Sequence, residues 1–159
     1  LVQRHGNTLF NFLLRYLGER TIAEDIVQEV FIRIYTSAYK FKKMTHIKSS
    51  SWIFKIAYNL SINEIKRHKR YRLFYNEFHQ NTKELKENQP IDQIIEWETQ
   101  KDFRAALDLL PEDQRAALLL QVNESYSYRE ISEILNRSIS SVETLIFRAR
   151  ASLKKHLKS

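Results

Sequence analysis

At 159 residues and 43% hydrophobic content, the chain can form one medium domain or two small ones with real cores. It has no Cys, which excludes disulfides and thiolate metal sites and suits a reducing cytoplasm; Gly 2 and Pro 2 leave little scope for tight hairpins. No apolar run reaches the roughly 18–20 residues that cross a bilayer, and a net charge of +7 favours a polyanionic partner, either nucleic acid or an anionic membrane face.

The charge is unevenly placed. Residues 1–72 hold 14 Lys and Arg against 5 Asp and Glu, residues 73–98 hold 2 against 6, and residues 99–159 hold 10 against 8. A basic block, an acidic connector and a weakly basic block predict two modules, 1–72 and 99–159, joined by a linker at 73–98.

In chain order, 8–17 reads as a helix with Leu9, Phe12, Leu13, Tyr16 and Leu17 on one stripe, ended by Gly18. Thr21 and Glu24 have the spacing of a capping box for a helix over about 22–38, whose core face is Ile22, Ile26, Val30 and Ile34. Residues 39–50 lack a period and read as a basic loop. A third helix, 51–71, has Ile53, Ile56, Ala57 and Leu60 inward, with Glu64 at the rim. Residues 74–88 read as linker and 91–110 as helix. Pro111 stands at a first helical position, followed by Glu112 and Asp113, for a helix through Gln121. Ser127 and Glu130 form another capping box, opening a short helix at 128–135; a three-residue turn follows, and Ser138 caps a last helix over 139–157. No alternating strand pattern occurs, so the fold class is all-α: two small helical domains.

A short helix, a tight turn and a second helix make a helix-turn-helix. Ile131, Ile134 and Leu135 would pack against Val142, Leu145 and Ile146. The second helix changes character along its length. Ser140, Ser141, Glu143 and Thr144 sit at its start, where base edges are reached; Arg148, Arg150, Lys154 and Lys155 follow, where phosphates flank the groove. Glu143 has two readings: acceptor for a cytosine amino group, or a solvated helix residue.

In the first module, Lys55, Asn59, Asn63, Lys66, Arg67 and Arg70 share one helix face, a pattern that suits a nucleic-acid backbone. Tyr39, Phe41, Lys42, Lys43, His46, Lys48 and Trp52 interleave aromatics with cations just upstream, a pattern that suits unpaired bases, the alternative being Phe41 and Trp52 as core and the lysines as solvated. Trp52 opens the buried stripe and reads as core. Asp25, Gln28 and Glu29 form an acidic, exposed face on a basic module; such a face repels DNA and suits a basic protein surface, although a solvated face with a Glu29–Arg33 pair is the plainer reading.

Four stretches carry a resemblance: AEDIVQEVFIRIY (23–35), SWIFKIAYNLSINEIKRHKR (51–70), LDLLPEDQRAALLLQ (107–121) and YSYREISEILNRSISSVETLIFRARASLKKHL (126–157). In order and spacing the chain resembles bacterial RNA polymerase sigma factors of the extracytoplasmic-function type. The resemblance implies sigma domains 2 and 4 without an intervening domain. It implies that Asp25, Gln28, Glu29 and Ile32 meet the β′ clamp helices of the polymerase core, and that the β flap is a second contact. It places 39–50 on the loop that captures a flipped base of the −10 element, with Lys55, Asn59 and Asn63 on the supporting helix. Ser140, Ser141, Glu143, Thr144, Arg148 and Lys154 fall on the −35-reading helix. The expected partners are polymerase core, promoter DNA and an anti-sigma factor, with no cofactor, metal or membrane insertion, and with cytoplasmic action. Ser140, Ser141 and Glu143 depart from the small, Thr-containing and cationic residues frequent at those places in the family. The start at Leu1 rather than Met, set against the family's usual N-terminal stretch, reads as a truncation.

Other function classes explain less. A duplex-binding regulator accounts for 107–157 but leaves the acidic face of 25–29 unused. A recombinase or nuclease needs paired acids or an activated nucleophile; the five His are scattered, and no Gly-rich phosphate loop occurs, so the chain does not read as an enzyme. A membrane-surface protein would use only the net charge.

Overall fold

The computed structural model describes the backbone of residues 2–41, 49–78 and 94–158, and side chains within 5–37, 50–70 and 101–157. Among the described residues all regular structure is helical: α1 (Val2–Leu17), α2 (Arg20–Phe41), α3 (Ser49–Phe78), α4 (Ile94–Leu109), α5 (Glu112–Val122), α6 (Tyr128–Leu135) and α7 (Ile139–Lys158).

The α1 stripe is as expected, with Leu9, Phe12, Leu13 and Tyr16 fully buried and Leu17 partly so. Gly18 closes the helix at φ +78, its N–H donating to the Leu14 carbonyl at 2.9 Å. A left-handed residue here carries almost no steric cost for glycine. The turn is so tight that α2 resumes at Arg20, so the predicted Thr21 box does not form. The Glu19 carbonyl takes the first helical bond, from Ala23 N at 3.1 Å, and Glu24 pairs with Arg20 at 3.0 Å. Thr21 is already inside the first turn.

Two helices outrun their predicted ends. Residues 39–41 belong to α2, residues 49–50 and 72–78 to α3, and only 42–48 and 79–93 of the predicted loop and linker lie outside the described residues. Neither overrun contains Gly or Pro, and without a breaker each added residue gains a hydrogen bond. Polar composition conceals this. At 30 residues, α3 is about 45 Å long.

The α3 stripe is also wider than expected. Ile53 and Ala57 are buried, but so are Phe54, Tyr58 and Ser61. The reason is a second neighbour: α3 packs on α1 and α2 along one side and on α6 along the other. Ser61 satisfies its buried hydroxyl by donating to the Ala57 carbonyl at 2.7 Å. Trp52 packs against the core, as read from the sequence.

In the second half, Pro111 is extended at φ −53 and ψ 149 and stands one place before the helix, as its N-cap. Its carbonyl accepts from Arg115 N at 3.0 Å. The α6 box forms as predicted: Glu130 N donates to Ser127 Oγ at 3.1 Å, and Ser127 N to Glu130 Oε1 at 3.2 Å. Asn136 ends α6 in the left-handed conformation, φ 55, and Ser138 Oγ accepts from Ser141 N at 3.1 Å to start α7. Ile131, Ile134, Leu135, Val142, Leu145 and Ile146 are buried together. The two halves then merge into one core, α5 against α1 and α6 against α3.

Replacing Ser127 by Ala should cost about 1 kcal/mol, lowering Tm by roughly 2–4 °C in a chain of this size; calorimetry checks this, with Gly at the same place as the milder control. Glu124 supplies a pH test. Burial raises its carboxyl pKa, and Arg15 offsets this only in part. A carboxylate with a raised folded pKa favours the fold at low pH and loses that favour as pH rises through the folded value. Glu124→Gln should therefore raise Tm at neutral pH, and the gain should vanish below the ordinary pKa of 4.5.

Candidate nucleic-acid interface

Three exposed surfaces lie around this core. The first is the outer face of α7. Its inner face, Val142, Leu145, Ile146 and Ala149, is buried, which by helical spacing turns Ser140, Glu143, Thr144 and Arg148 to solvent. Ser141 is half-buried at the rim and Lys154 is exposed a turn further on. The start of the helix is internally organised. Ser140 Oγ lies 3.3 Å from Ser138 Oγ, and Thr144 Oγ1 donates to the Ser140 carbonyl at 3.1 Å. With its proton used there, the Thr144 hydroxyl offers lone pairs and a methyl group outward. That is the chemistry of an acceptor and of an apolar contact to a thymine methyl.

Two features of α7 differ from the sequence reading. Arg150 turns back to α5, its Nη2 donating to Gln121 Oε1 at 2.8 Å, so it does not continue the cationic stripe of Arg148 and Lys154. Phe147 was not singled out, yet it is 74% exposed beside Thr144 and Arg148. With Tyr128, Glu143, Thr144, Ile146 and Arg150 it lines a shallow depression at the edge of the helix. The available signal was one aromatic on a stripe that is otherwise polar, Ser140–Thr144–Phe147.

The second surface is α3. Asn59, Asn63, Lys66, Arg67 and Arg70 are exposed and Lys55 half-buried, all on the face away from α1 and α2. His68 turns to Glu64 at 3.4 Å, and Lys69 pairs with Glu112 of α5, so these two side chains face elsewhere. Tyr39 and Phe41 lie in the last turn of α2, with side chains outside the described residues; Lys42, Lys43, His46 and Lys48 are also outside them.

The third surface is on α2. Asp25 and Gln28 are exposed, Glu29 is half-buried, and Ile32 is 58% exposed next to them. Arg33 and Glu29 make the expected pair at 3.1 Å. Tyr35, 88% exposed, extends this strip and was missed by the sequence reading. Its place at spacings of 3, 4 and 3 from Asp25 through Gln28 and Ile32 was the available sign. An aliphatic and an aromatic side chain in water among acids mark a protein contact better than a DNA contact.

Among the described residues no group of His, Cys, Asp or Glu is arranged to hold a metal ion, and no helix is long and apolar enough to cross a membrane.

Comparison with known proteins matches the chain to a family. Residues 1–71 match the model for Sigma-70 region 2, and residues 100–153 the model for Sigma-70 region 4. The ECF RNA polymerase sigma factor SigW of Bacillus subtilis is 30% identical over 165 residues, covering 99% of this chain and 87% of that protein. The SigM factor of the same organism is 28% identical over 154 residues, covering 97% and 91%. The fold is that of the sigma factor RpoE of Bartonella quintana, solved in complex with the anti-sigma factor NepR, with a TM-score of 0.76 at 22% identity over 99% of this chain and 94% of that one. With region 2 on the basic module, region 4 on the helix-turn-helix and full-length relatives in between, the chain belongs to the extracytoplasmic-function sigma factors of bacterial RNA polymerase.

Proposed function

We propose that this sigma factor divides promoter recognition between 1–72, which docks on polymerase and holds the melted −10 element, and 99–159, which reads the −35 element as duplex, with 73–98 as the connector. The observation that carries the reading is α7. One face is locked in the core while the other presents Ser140, Thr144, Phe147 and Arg148 to solvent, hydroxyls first and a cation last, the order that suits base edges, then phosphate.

Each residue has a role in this reading. Ser140, Ser141, Glu143 and Thr144 contact base edges; Phe147 meets a thymine methyl; Arg148 and Lys154 hold phosphates. Lys55, Asn59, Asn63, Lys66, Arg67 and Arg70 lie along the −10 strand, and Tyr39, Phe41, Lys42, Lys43 and Lys48 surround its unpaired bases. Stacking of about 1–3 kcal/mol per base favours the separated strand over the duplex, so binding itself drives melting. The family is one of non-catalytic initiation factors, and no covalent step is required of this chain.

Asp25, Gln28, Glu29, Ile32 and Tyr35 dock on the β′ clamp helices, and the second half meets the β flap. RpoE was solved in complex with an anti-sigma factor; in this reading a partner of that kind covers these surfaces in the resting cell. The site of action is the cytoplasm, where polymerase and DNA are.

Changing Asp25 and Glu29 to Lys together should abolish holoenzyme assembly and leave duplex −35 binding intact. The fold tolerates this, since the exposed Glu29–Arg33 pair contributes only about 0.3–0.5 kcal/mol. Normal assembly in a pull-down with core enzyme would move the interface elsewhere. Arg148→Ala should weaken −35 binding and reduce the slope of log affinity against log salt by about one unit. An unchanged slope would assign Arg148 to something other than phosphate. Promoter-specific transcription by reconstituted core enzyme tests the whole reading.

A further inference from the structure

Glu143 is the only Asp or Glu in α7, and it stands on the outer face, among hydroxyls, an aromatic ring and cations. It is exposed, and among the described residues it takes part in no hydrogen bond or ion pair. The ordinary reasons for an acid near a helix start do not reach it. Ser141 N donates to Ser138 Oγ at 3.1 Å and Val142 N to the Ser138 carbonyl at 3.1 Å, so the unbonded N–H groups of the helix start all precede it. As the fifth residue of the helix, it lies beyond the turn in which the dipole favours a negative charge. Its neighbours at three and four residues are Ile139, Ser140, Ile146 and Phe147, none of them a cation. Arg150 lines the same shallow depression two turns on, but its Nη2 donates to Gln121 Oε1 at 2.8 Å.

A carboxylate without a partner is harmless in water. It is costly once its helix lies in a major groove, where it loses hydration and meets the like charge of the phosphates. Most base edges make this worse. Guanine offers N7 and O6 and thymine O4, all acceptors; only the N4 amino group of cytosine and the N6 amino group of adenine donate. In an A·T pair the amino group lies between adenine N7 and thymine O4, so a carboxylate there meets an acceptor on either side. In a C·G pair it has an acceptor, guanine O6, on one side only. Thr144 adds to the same demand: with its proton spent on the Ser140 carbonyl at 3.1 Å, its hydroxyl too can only accept.

We infer that Glu143 is a specificity-determining residue that makes this chain require cytosine at one position of its −35 element, as much by rejecting the other bases as by accepting from N4. The inference deepens the assignment of α7 to the −35 duplex and rests on it. On a wrong base Glu143 leaves a desolvated charge unpaired; on cytosine one charge-assisted hydrogen bond offsets that cost. Such a side chain widens the gap between right and wrong sites without tightening binding to all of them. The withdrawal of Arg150 to Gln121 belongs to the arrangement, because a guanidinium on the carboxylate would cancel the demand for a base donor.

The test uses holoenzyme reconstituted from core enzyme and the full chain, offered a promoter pool with a fixed −10 element and randomised −35 bases, with sequencing of the bound fraction. The parent should favour cytosine at one position by roughly tenfold over each other base. Glu143→Gln should move the preference at that position alone to adenine, whose N6 and N7 suit an amide. Glu143→Ala should flatten the position, with little change on the cytosine promoter and roughly tenfold tighter binding where another base stands. Both variants should keep the parent Tm, since the side chain has no partner among the described residues to lose. Uniform tightening on every promoter by Glu143→Ala, the effect of removing a solvated acid near phosphates, overturns the inference, and so does a parent preference for another base at the responding position. If the parent holoenzyme favours no −35 sequence at all, the assignment of α7 fails and takes this inference with it. A favoured −35 element that is indifferent to Glu143 leaves that assignment standing and removes only the role of this residue.

Discussion

A run of aromatic rings through the centre fixes most of the molecule. Phe12 stacks on Tyr16 at 5.7 Å, Phe54 meets Phe12 edge-on at 5.2 Å, and Tyr126 meets Phe54 edge-on at 5.4 Å. These rings come from α1, α3 and the segment just before α6. Each is large enough that leaving it in water is expensive, and edge contacts give preferred directions that aliphatic packing lacks. Aligning them sets how α1 crosses α3 and where the helix-turn-helix lands. Tyr16 adds a polar requirement: its buried hydroxyl needs an acceptor and finds the first carbonyl of α5. Burial raises the pKa of this phenol, so it stays a neutral donor.

The same junction contains the one buried cation of the described core. Arg115 is 9% exposed, its pKa lowered by burial, and its Nε has no hydrogen-bond partner among the described residues. The Tyr16 ring face and the Asp108 carboxylate supply what compensation there is. A half-satisfied buried charge is a poor source of stability. Glu112, by contrast, is held ionised below its usual range by the hydrogen bond from Lys69. The interface between the halves is thus apolar at its centre and ionic at its edge.

Function follows from what this packing leaves outside. Every helix has spent one face on the core, so the exposed faces are free to specialise by charge. On α3 the outward face is amide and cation, on α2 acid with Ile32 and Tyr35, and on α7 hydroxyl, then aromatic, then cation. Three partners of different chemistry can be met by one small chain because its rigid helices keep those faces apart. Arg150 shows the opposite case, a cation of the same helix withdrawn by Gln121 to brace α7 on α5.

Much of this was legible in the sequence because it depends on neighbours three and four residues apart. The stripe of Leu9, Phe12, Leu13 and Tyr16, the Ser127–Glu130 box, the Ser138 cap and the order of side chains along α7 are all local patterns, and local patterns are written directly in the chain. The Thr21 box was equally local in appearance but failed, since Gly18 had already set where the next helix begins. Other features depended on residues far away in the chain. Phe54 and Tyr58 became core where rings of α1 met α3 and α6 arrived beside them, Arg150 turned from the outer face of α7 to Gln121, and Arg104 reached the carbonyl end of α1 some ninety residues upstream. The sequence determined the helices, their buried stripes and the chemistry of their outer faces. Tertiary structure alone decided which second face each helix would bury and which charges would pair across the junction, because those choices depend on three-dimensional proximity that no periodicity encodes.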